Sequence, residues 1–130
     1  MTKDELFEWY QGYGRAINAH ELDGLGEFIH DEVVLNGSAA TLGDVIATLN
    51  YSIDAVPDLR WELDEFLVDG DRVAVRAYNT GTPAKEWIGA PATGASFKIR
   101  EYAIYRVTDG KFSEMTFLHD SADLRQQLGA

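Results

Sequence analysis

Two titratable side chains, His119 and Asp120, stand next to each other where a largely apolar segment ends. Apolar surroundings favour the neutral form of a carboxyl group, which suits such a group to moving protons near neutral pH. We therefore expect Asp120 to take a proton from an activated carbon and to return it to an oxygen, as a general acid–base catalyst. The alternative role of Asp120 is the N-cap of a short helix that follows it, a position where Asp is common.

His119 is the candidate partner of Asp120. Neighbours on a regular strand point to opposite faces, so both side chains reach one pocket only if the strand bends or bulges there. His119 shares its parity with Met115 and Phe117, which are predicted to line the pocket with it. In that position His119 would orient the substrate or tune Asp120. The alternative is a half-buried histidine that makes one structural hydrogen bond.

Asn36 is a third candidate catalytic group, at the end of a short apolar segment and ahead of Gly37. Its amide could donate to a carbonyl oxygen and stabilise an enolate. Asn-Gly is also strongly favoured in turns, so a turn residue is the alternative.

Glu101 interrupts an apolar stripe on a predicted strand over residues 95–107. Every second residue on the same face is apolar or aromatic: Phe97, Ile99, Ala103, Tyr105 and Val107. A carboxylate in such a stripe is paired, protonated or functional. Glu101 is therefore either a pocket acid or, after a bulge, the salt-bridge partner of Arg76 or Arg100.

Aromatic side chains are available to form the walls of a pocket. Tyr10 and Tyr13 lie on the apolar stripe of the first predicted helix, where they belong to the core or reach into a cavity. Trp61 and Trp87 could stack on a planar substrate. Trp87 falls in a loop, where a large aromatic side chain is harder to explain as core. We expect all four to contact the substrate.

The first half of the chain has the periodicity of helices. Thr2 and Glu5 have capping-box spacing, and apolar residues then recur every three or four positions through four turns. A short second helix is predicted over residues 22–29 and a short strand over residues 33–35. A third helix is predicted over residues 41–56, and Pro57 stops it.

Beyond Pro57 the pattern changes to that of strands. Strands are predicted over 59–68, 72–80, 95–107 and 111–119, with a loop over 81–94 and a short helical tail over 121–128. Three helices followed by an antiparallel meander predict a single α+β domain over residues 1–130, with the helices covering one face of a curved sheet. Such a cone has an apolar interior that could bind a ligand.

The composition and the absence of certain motifs argue against several classes of partner and site. The 22 acidic and 11 basic side chains give a net charge of −11, which repels phosphate backbones and argues against nucleic-acid binding. The chain has no cysteine, and its three histidines lack ligand spacing, so a metal site is not expected. No stretch is apolar enough to span a membrane, and we expect a soluble cytoplasmic protein. Phosphate-binding glycine loops and serine-nucleophile motifs are missing as well.

Four segments resemble the SnoaL-like polyketide cyclases, or ester cyclases, of the nuclear-transport-factor-2-like superfamily. The first two are residues 18–25 and residues 57–62. The third comprises residues 71–76, Gly81-Thr82 and residues 87–94, and the fourth is the end of the chain, with Tyr105-Arg106, Asp109-Gly110-Lys111, Asp120 and Gln127-Leu128-Gly129. The resemblance implies the cone-shaped, cystatin-like fold and homo-oligomers formed through the sheet. It also places the family's acid–base aspartate on Asp120, nine residues before Gly129. Many family members have a histidine where Pro83 stands and a glycine where Lys85 stands.

The resemblance and the residues together predict a function. We expect cofactor-independent, acid–base chemistry of the cyclase or isomerase type on an apolar, polycyclic or polyketide-like small molecule. The reaction would be an intramolecular aldol-type closure or a proton transfer next to a carbonyl. Two alternatives use the same fold: a non-catalytic protein that binds a small molecule, and a hydrolase of the epoxide-opening type. A homodimer is expected through the outer sheet face, which mixes aromatic and charged side chains.

Overall fold

The computed structural model describes residues 1–129, and it has the expected α+β architecture, in which three helices pack on a curved sheet of six strands. The α-helices are α1 (Lys3–Asn18), α2 (Leu42–Ala55) and α3 (Ser121–Leu128). The strands are β1 (Ile29–Leu35), β2 (Ser38–Thr41), β3 (Arg60–Asp69), β4 (Arg72–Gly81), β5 (Phe97–Thr108) and β6 (Lys111–His119).

The first two helices begin where the sequence predicts. Thr2 caps α1 and Thr41 caps α2, each in a capping box with the acidic residue three positions later. A Cβ at Gly14 would clash with the ring of Trp61, so this glycine lets α1 lie directly on β3. The side chains of Tyr10 and Tyr13 are buried beneath α1, toward the sheet.

The sheet is mixed, and its strands lie in the order β2-β1-β6-β5-β4-β3. The meander from β3 to β6 is antiparallel throughout, as predicted, and β1 joins its free edge parallel to β6. Register shifts leave one residue unpaired in β3, at Asp64 opposite β4, and one in β6, at Ser113 opposite β5. Bulges of this kind bend a strand and increase its twist, which helps the sheet to wrap around its inner face.

Two local predictions were wrong. The predicted second helix is only a 3₁₀ turn over Leu25–Glu27, and Ile29 already begins β1. Two glycines in five residues, Gly24 and Gly26, make a helix there costly by about 1 kcal/mol each. The strand β2 was missed: Asn36 and Gly37 both have positive φ, at 49° and 84°, and form the hairpin turn that joins it to β1.

Two clusters of buried apolar residues lie on the inner side of the sheet. The larger joins α1, α2 and the middle of the sheet. The smaller surrounds Trp87, which is fully buried and stacked on Phe97 at 5.2 Å between ring centroids. No helix within residues 1–129 has the length and hydropathy needed to cross a membrane.

Candidate functional site

A cavity of about 190 Å³ lies between the helices and the inner face of the sheet. Helix α1 contributes Tyr13 and Ile17 to its wall, and β3 contributes Trp61. Asn18, at the end of α1, holds Trp61 through two hydrogen bonds: its amide donates to the Trp61 carbonyl at 2.8 Å and accepts from the Trp61 N–H at 2.7 Å. The cavity wall is mostly apolar, so its few polar groups stand out.

Three polar side chains from three adjacent strands meet in this wall: Asn79 of β4, Glu101 of β5 and His119 of β6. Glu101 and His119 are directly paired across β5 and β6, and His119 Nε2 lies 3.1 Å from Glu101 Oε1. Asn79 Nδ2 donates to the same oxygen at 2.8 Å. Their side chains are 13% exposed for Glu101 and 18% for His119, while Asn79 is 4% exposed overall. We call these three residues the polar cluster.

The polar cluster decides between the alternatives for Glu101. Neither Arg76 nor Arg100 pairs with it; Arg76 instead binds Asp64 and Glu65 at 2.6 and 2.9 Å. On the inner face of the sheet, the Glu101 carboxylate contacts the His119 imidazole and the Asn79 amide instead of an arginine guanidinium. The alternative of a salt bridge to arginine is therefore not formed, and Glu101 lines the cavity.

Two oxygens of the polar cluster have no protein partner in the described part of the chain. Within residues 1–129 no hydrogen bond involves Oε2 of Glu101 or Oδ1 of Asn79. In the same part of the chain, no completely buried side-chain nitrogen or oxygen lacks a partner. Both oxygens are therefore not completely buried, and both belong to side chains that line the cavity. They are hydrogen-bond acceptors for a ligand.

Hydroxyl donors share the same cavity. Tyr13 and Tyr105 line it, and the hydroxyl of Tyr10, behind them, donates to that of Tyr105 at 3.1 Å. Burial raises the pKa of Tyr13 and the pKa of Tyr105 above the ordinary value, and the nearby charge of Glu101 raises them further. These phenols remain protonated at neutral pH, so they can donate to an oxygen that becomes negative during a reaction.

The mouth of the cavity is formed by α2 and the loop after β4. Tyr51 and Ser52 of α2 line it together with Ile88 of the loop. The Ile88 N–H donates to the Tyr51 hydroxyl at 3.2 Å, and Trp87 Nε1 donates to Ser52 Oγ at 2.9 Å. Ile88 has a φ of 40°, which is unfavourable for a β-branched residue. The buried Trp87 thus anchors the loop to α2, next to Ile88 in the cavity wall.

The structure places the remaining predicted site residues outside the cavity wall. Asp120 caps α3, with Oδ1 accepting from the Asp123 N–H at 3.0 Å. Asn36 lies in the β1–β2 turn, and its Oδ1 accepts from the Phe117 N–H at 2.9 Å. Met115 is buried in the core. The catalytic roles of Asp120 and Asn36 stay predictions.

The sequence analysis missed Asn79 and Tyr105 as site residues. Asn79 has the same parity as Val73, Val75 and Ala77 on β4, so it interrupts an apolar stripe as Glu101 does on β5. This interruption of the apolar stripe is visible in the sequence and would have identified Asn79. In residues 1–129 no three His, Asp or Glu side chains are grouped so that they could hold a metal ion.

The sequence model of the SnoaL-like polyketide cyclase family matches residues 7–128. No curated protein sequence matches the chain.

Three solved structures have the same fold. A SnoaL-like polyketide cyclase from Agrobacterium tumefaciens is 27% identical, with a TM-score of 0.89 over 95% of this chain and 98% of that one. TsrD from Streptomyces laurentii is 24% identical, with a TM-score of 0.90 over 100% and 98% of the two chains. IdmH from Streptomyces antibioticus is 24% identical, with a TM-score of 0.83 over 95% and 97%.

Proposed function

The chain belongs to the SnoaL-like polyketide cyclase family, and from this premise we propose that it catalyses proton transfer next to a carbonyl on an apolar, polyketide-like molecule. The reaction is an intramolecular aldol-type closure or the related isomerisation, without a cofactor. The observation that carries this proposal is Glu101, a carboxylate in the wall of a mostly apolar cavity, one of whose oxygens has no protein partner within residues 1–129.

The first step is removal of a proton from the carbon next to the substrate carbonyl. Oε2 of Glu101 takes the proton, and the electron pair of the C–H bond moves onto the carbonyl oxygen, which becomes an enolate. The hydroxyls of Tyr13 and Tyr105 donate to that oxygen as its charge develops. A positioned base of this kind contributes about 10²–10⁴-fold to the rate.

Ring closure then consumes the enolate. Its carbon attacks a second carbonyl carbon of the same molecule, and the new alkoxide oxygen takes the proton back from Glu101, which restores the carboxylate. Holding both carbons in one apolar cavity favours this attack, because the reacting groups are already close. The apolar walls also exclude water that would quench the enolate.

His119 and Asn79 act on Glu101 as positioning residues. Both approach Oε1, so they fix the carboxyl group and leave Oε2 directed into the cavity. A protonated His119 imidazole would also offset the charge of Glu101. The family resemblance assigns the proton to Asp120 instead.

Exchange of a carbon-bound proton tests the proposal without knowledge of the natural substrate. We expect the protein to accelerate deuterium incorporation at C1 of 2-tetralone in D₂O, followed by NMR. Glu101→Gln should lower this rate to the level of the uncatalysed reaction. Glu62→Gln, a change on the exposed face of β3, is the matched control and should exchange like wild type. If Glu101→Gln also exchanges like wild type, Glu101 is not the base.

A non-catalytic binding protein is the second candidate, and the predominantly apolar cavity favours it. That function requires 2-tetralone to bind, by calorimetry, while its protons exchange no faster than in buffer. The epoxide-opening hydrolase has less support, because an Asp/Asn/Arg cluster around one water would favour it and no arginine of residues 1–129 lines this cavity.

We also propose that two copies associate through the outer face of the sheet. Tyr102, Ile104 and Leu118 expose half or more of their surface on adjacent strands β5 and β6. Large apolar side chains beside charged ones, such as Arg76, are typical of interfaces. Sedimentation at micromolar concentration should give a species of about twice 14.5 kDa, and Ile104→Glu should yield the monomer. A wild-type protein that sediments only as a monomer contradicts this proposal.

A further inference from the structure

We infer that the substrate of this cavity is a compact ketone of one or two fused rings whose hydroxyl group, beside the reacting carbon, donates to Asn79. This inference rests on the proposed function, since it assigns the reacting carbon to Glu101. It makes Asn79 the residue that selects the substrate. The inference rests on the volume of the cavity, on the polar groups in its wall and on the orientation of the Asn79 amide.

The size limit comes from the cavity. Its volume is about 190 Å³. An engineered apolar cavity of about 150 Å³ holds one benzene molecule. The space here therefore fits one ring with its substituents, or two small fused rings. Trp61 and Ile88 both line this volume. A molecule of four fused rings exceeds it.

The orientation of the Asn79 amide is fixed by chemistry. A carboxylate only accepts hydrogen bonds, so the amide atom that contacts Glu101 Oε1 at 2.8 Å must be the nitrogen. The amide oxygen, Oδ1, has no protein partner within residues 1–129, and the side chain lines the cavity. Asn79 is 4% exposed. Covering an acceptor without giving it a hydrogen bond is costly, so a ligand that donates to Oδ1 gains affinity.

The position of that acceptor defines where the ligand hydroxyl must be. Oδ1 of Asn79 and Oε2 of Glu101 belong to two groups joined by one hydrogen bond, so they face the same end of the cavity. If Oε2 takes the proton from a carbon, a hydroxyl that donates to Oδ1 must lie close to that carbon. The carbonyl oxygen of the ligand is then directed to the hydroxyls of Tyr13 and Tyr105.

Three related probes test this arrangement on the wild-type protein by calorimetry. In 8-hydroxy-2-tetralone the hydroxyl lies beside C1, the exchanging carbon, whereas in 6-hydroxy-2-tetralone it lies across the ring. We expect the 8-hydroxy compound to bind about tenfold more tightly than 2-tetralone, since one hydrogen bond is gained. The 6-hydroxy compound should bind no more tightly than 2-tetralone. Equal gains for both isomers, or a gain for neither, would overturn the assignment of Asn79.

Estrone tests the size limit, because it is a hydroxyketone with four fused rings. We expect it to bind at least tenfold more weakly than 2-tetralone. Affinity equal to that of 2-tetralone would show that the cavity admits polycyclic substrates and would overturn this part of the inference.

Asn79→Leu keeps the approximate shape of the side chain and removes the acceptor. We expect the variant to bind 8-hydroxy-2-tetralone and 2-tetralone equally, and a retained tenfold preference contradicts the inference. The wild-type ligand comparison keeps the test valid if this variant does not fold. The two proposals can fail separately. If the protein accelerates deuterium exchange but shows no preference for the 8-hydroxy compound, only the assignment of Asn79 fails. If it prefers the 8-hydroxy compound but does not accelerate exchange, the ligand assignment stands and the proposed catalysis fails.

Discussion

Two carboxylates near the end of β6 have opposite surroundings, and the contrast shows what makes a group available for chemistry. Glu101 lies within the sheet, where His119 and Asn79 both contact its Oε1. Its Oε2 has no partner within residues 1–129, and its side chain lines a mostly apolar cavity. Asp120 lies just past the sheet and uses an oxygen to cap α3. The sequence draws attention to Asp120, next to His119. The tertiary structure instead pairs His119 with Glu101, which is 18 positions earlier.

The largest expected effect compares these two carboxylates directly. Glu101→Gln keeps the size of the side chain but cannot exchange a proton, so turnover or tetralone exchange should fall by about 10²-fold or more. Asp120→Asn should stay within about threefold of wild type, because Asn caps a helix as well as Asp does. Rates of both variants on one substrate measure the contrast. The reverse pattern would return the acid–base role to Asp120, as the family resemblance implies.

The proposed donors to the enolate oxygen, Tyr13 and Tyr105, give a second test of catalysis in the cavity that contains Glu101. Tyr13→Phe and Tyr105→Phe each remove one donor to the enolate oxygen, and each should lower the exchange rate by about tenfold with little change in ligand affinity. Tyr78→Phe is the matched control, because Tyr78 interacts with Lys98 and Arg100 and does not line the cavity. Wild-type rates in both cavity variants would mean that the enolate oxygen lies elsewhere.

Helix capping by Asp120 predicts a stability effect that Glu101 does not share. Asp120→Ala should lower the free energy of unfolding by about 1 kcal/mol, whereas Asp120→Asn should leave it nearly unchanged. Chemical denaturation of the two variants measures the difference. If Asp120→Ala is as stable as wild type, the capping hydrogen bond at 3.0 Å contributes nothing and Asp120 is free for another role.

The smallest expected effect is the pH dependence of stability, which arises from three buried tyrosines in or behind the cavity wall. Burial raises the pKa of Tyr10, the pKa of Tyr13 and the pKa of Tyr105, so these phenols ionise at lower pH in the unfolded chain than in the folded protein. Their contribution to stability is complete below about pH 10 and is lost as the pH rises further. In titrations followed by absorbance at 295 nm, the ionisation of these three tyrosines should require a higher pH in the folded protein than in urea. Identical titration curves in the two conditions would mean that the cavity wall is open to water.

Much of the fold could be predicted from local patterns. Capping boxes at Thr2 and Thr41 and the alternation after Pro57 placed α1, α2 and the four-stranded meander close to their observed limits. The failures were also local, at the glycine-rich segment before β1 and at the Asn36-Gly37 turn. There the same residues fit a turn, a short helix or a hairpin, and only pairing with distant strands selects one of these.

The candidate site could be predicted only in part. A carboxylate in an apolar stripe identified Glu101, because parity on a strand is a local property that the sequence displays. The sequence could not show that His119 would face Glu101 rather than work with Asp120, since that depends on the register between β5 and β6.

The sequence by itself determined which faces of its helices and strands are apolar, where the helices begin, and which family the chain resembles. These properties follow from the order of side chains along short segments. The tertiary structure alone decided that Asn79, Glu101 and His119 meet, that one oxygen of Glu101 is left free and that Asp120 is occupied by α3. The physical reason is that hydrogen bonds and cavities form between segments far apart in the chain, and their partners are fixed only when the curved sheet closes around its core.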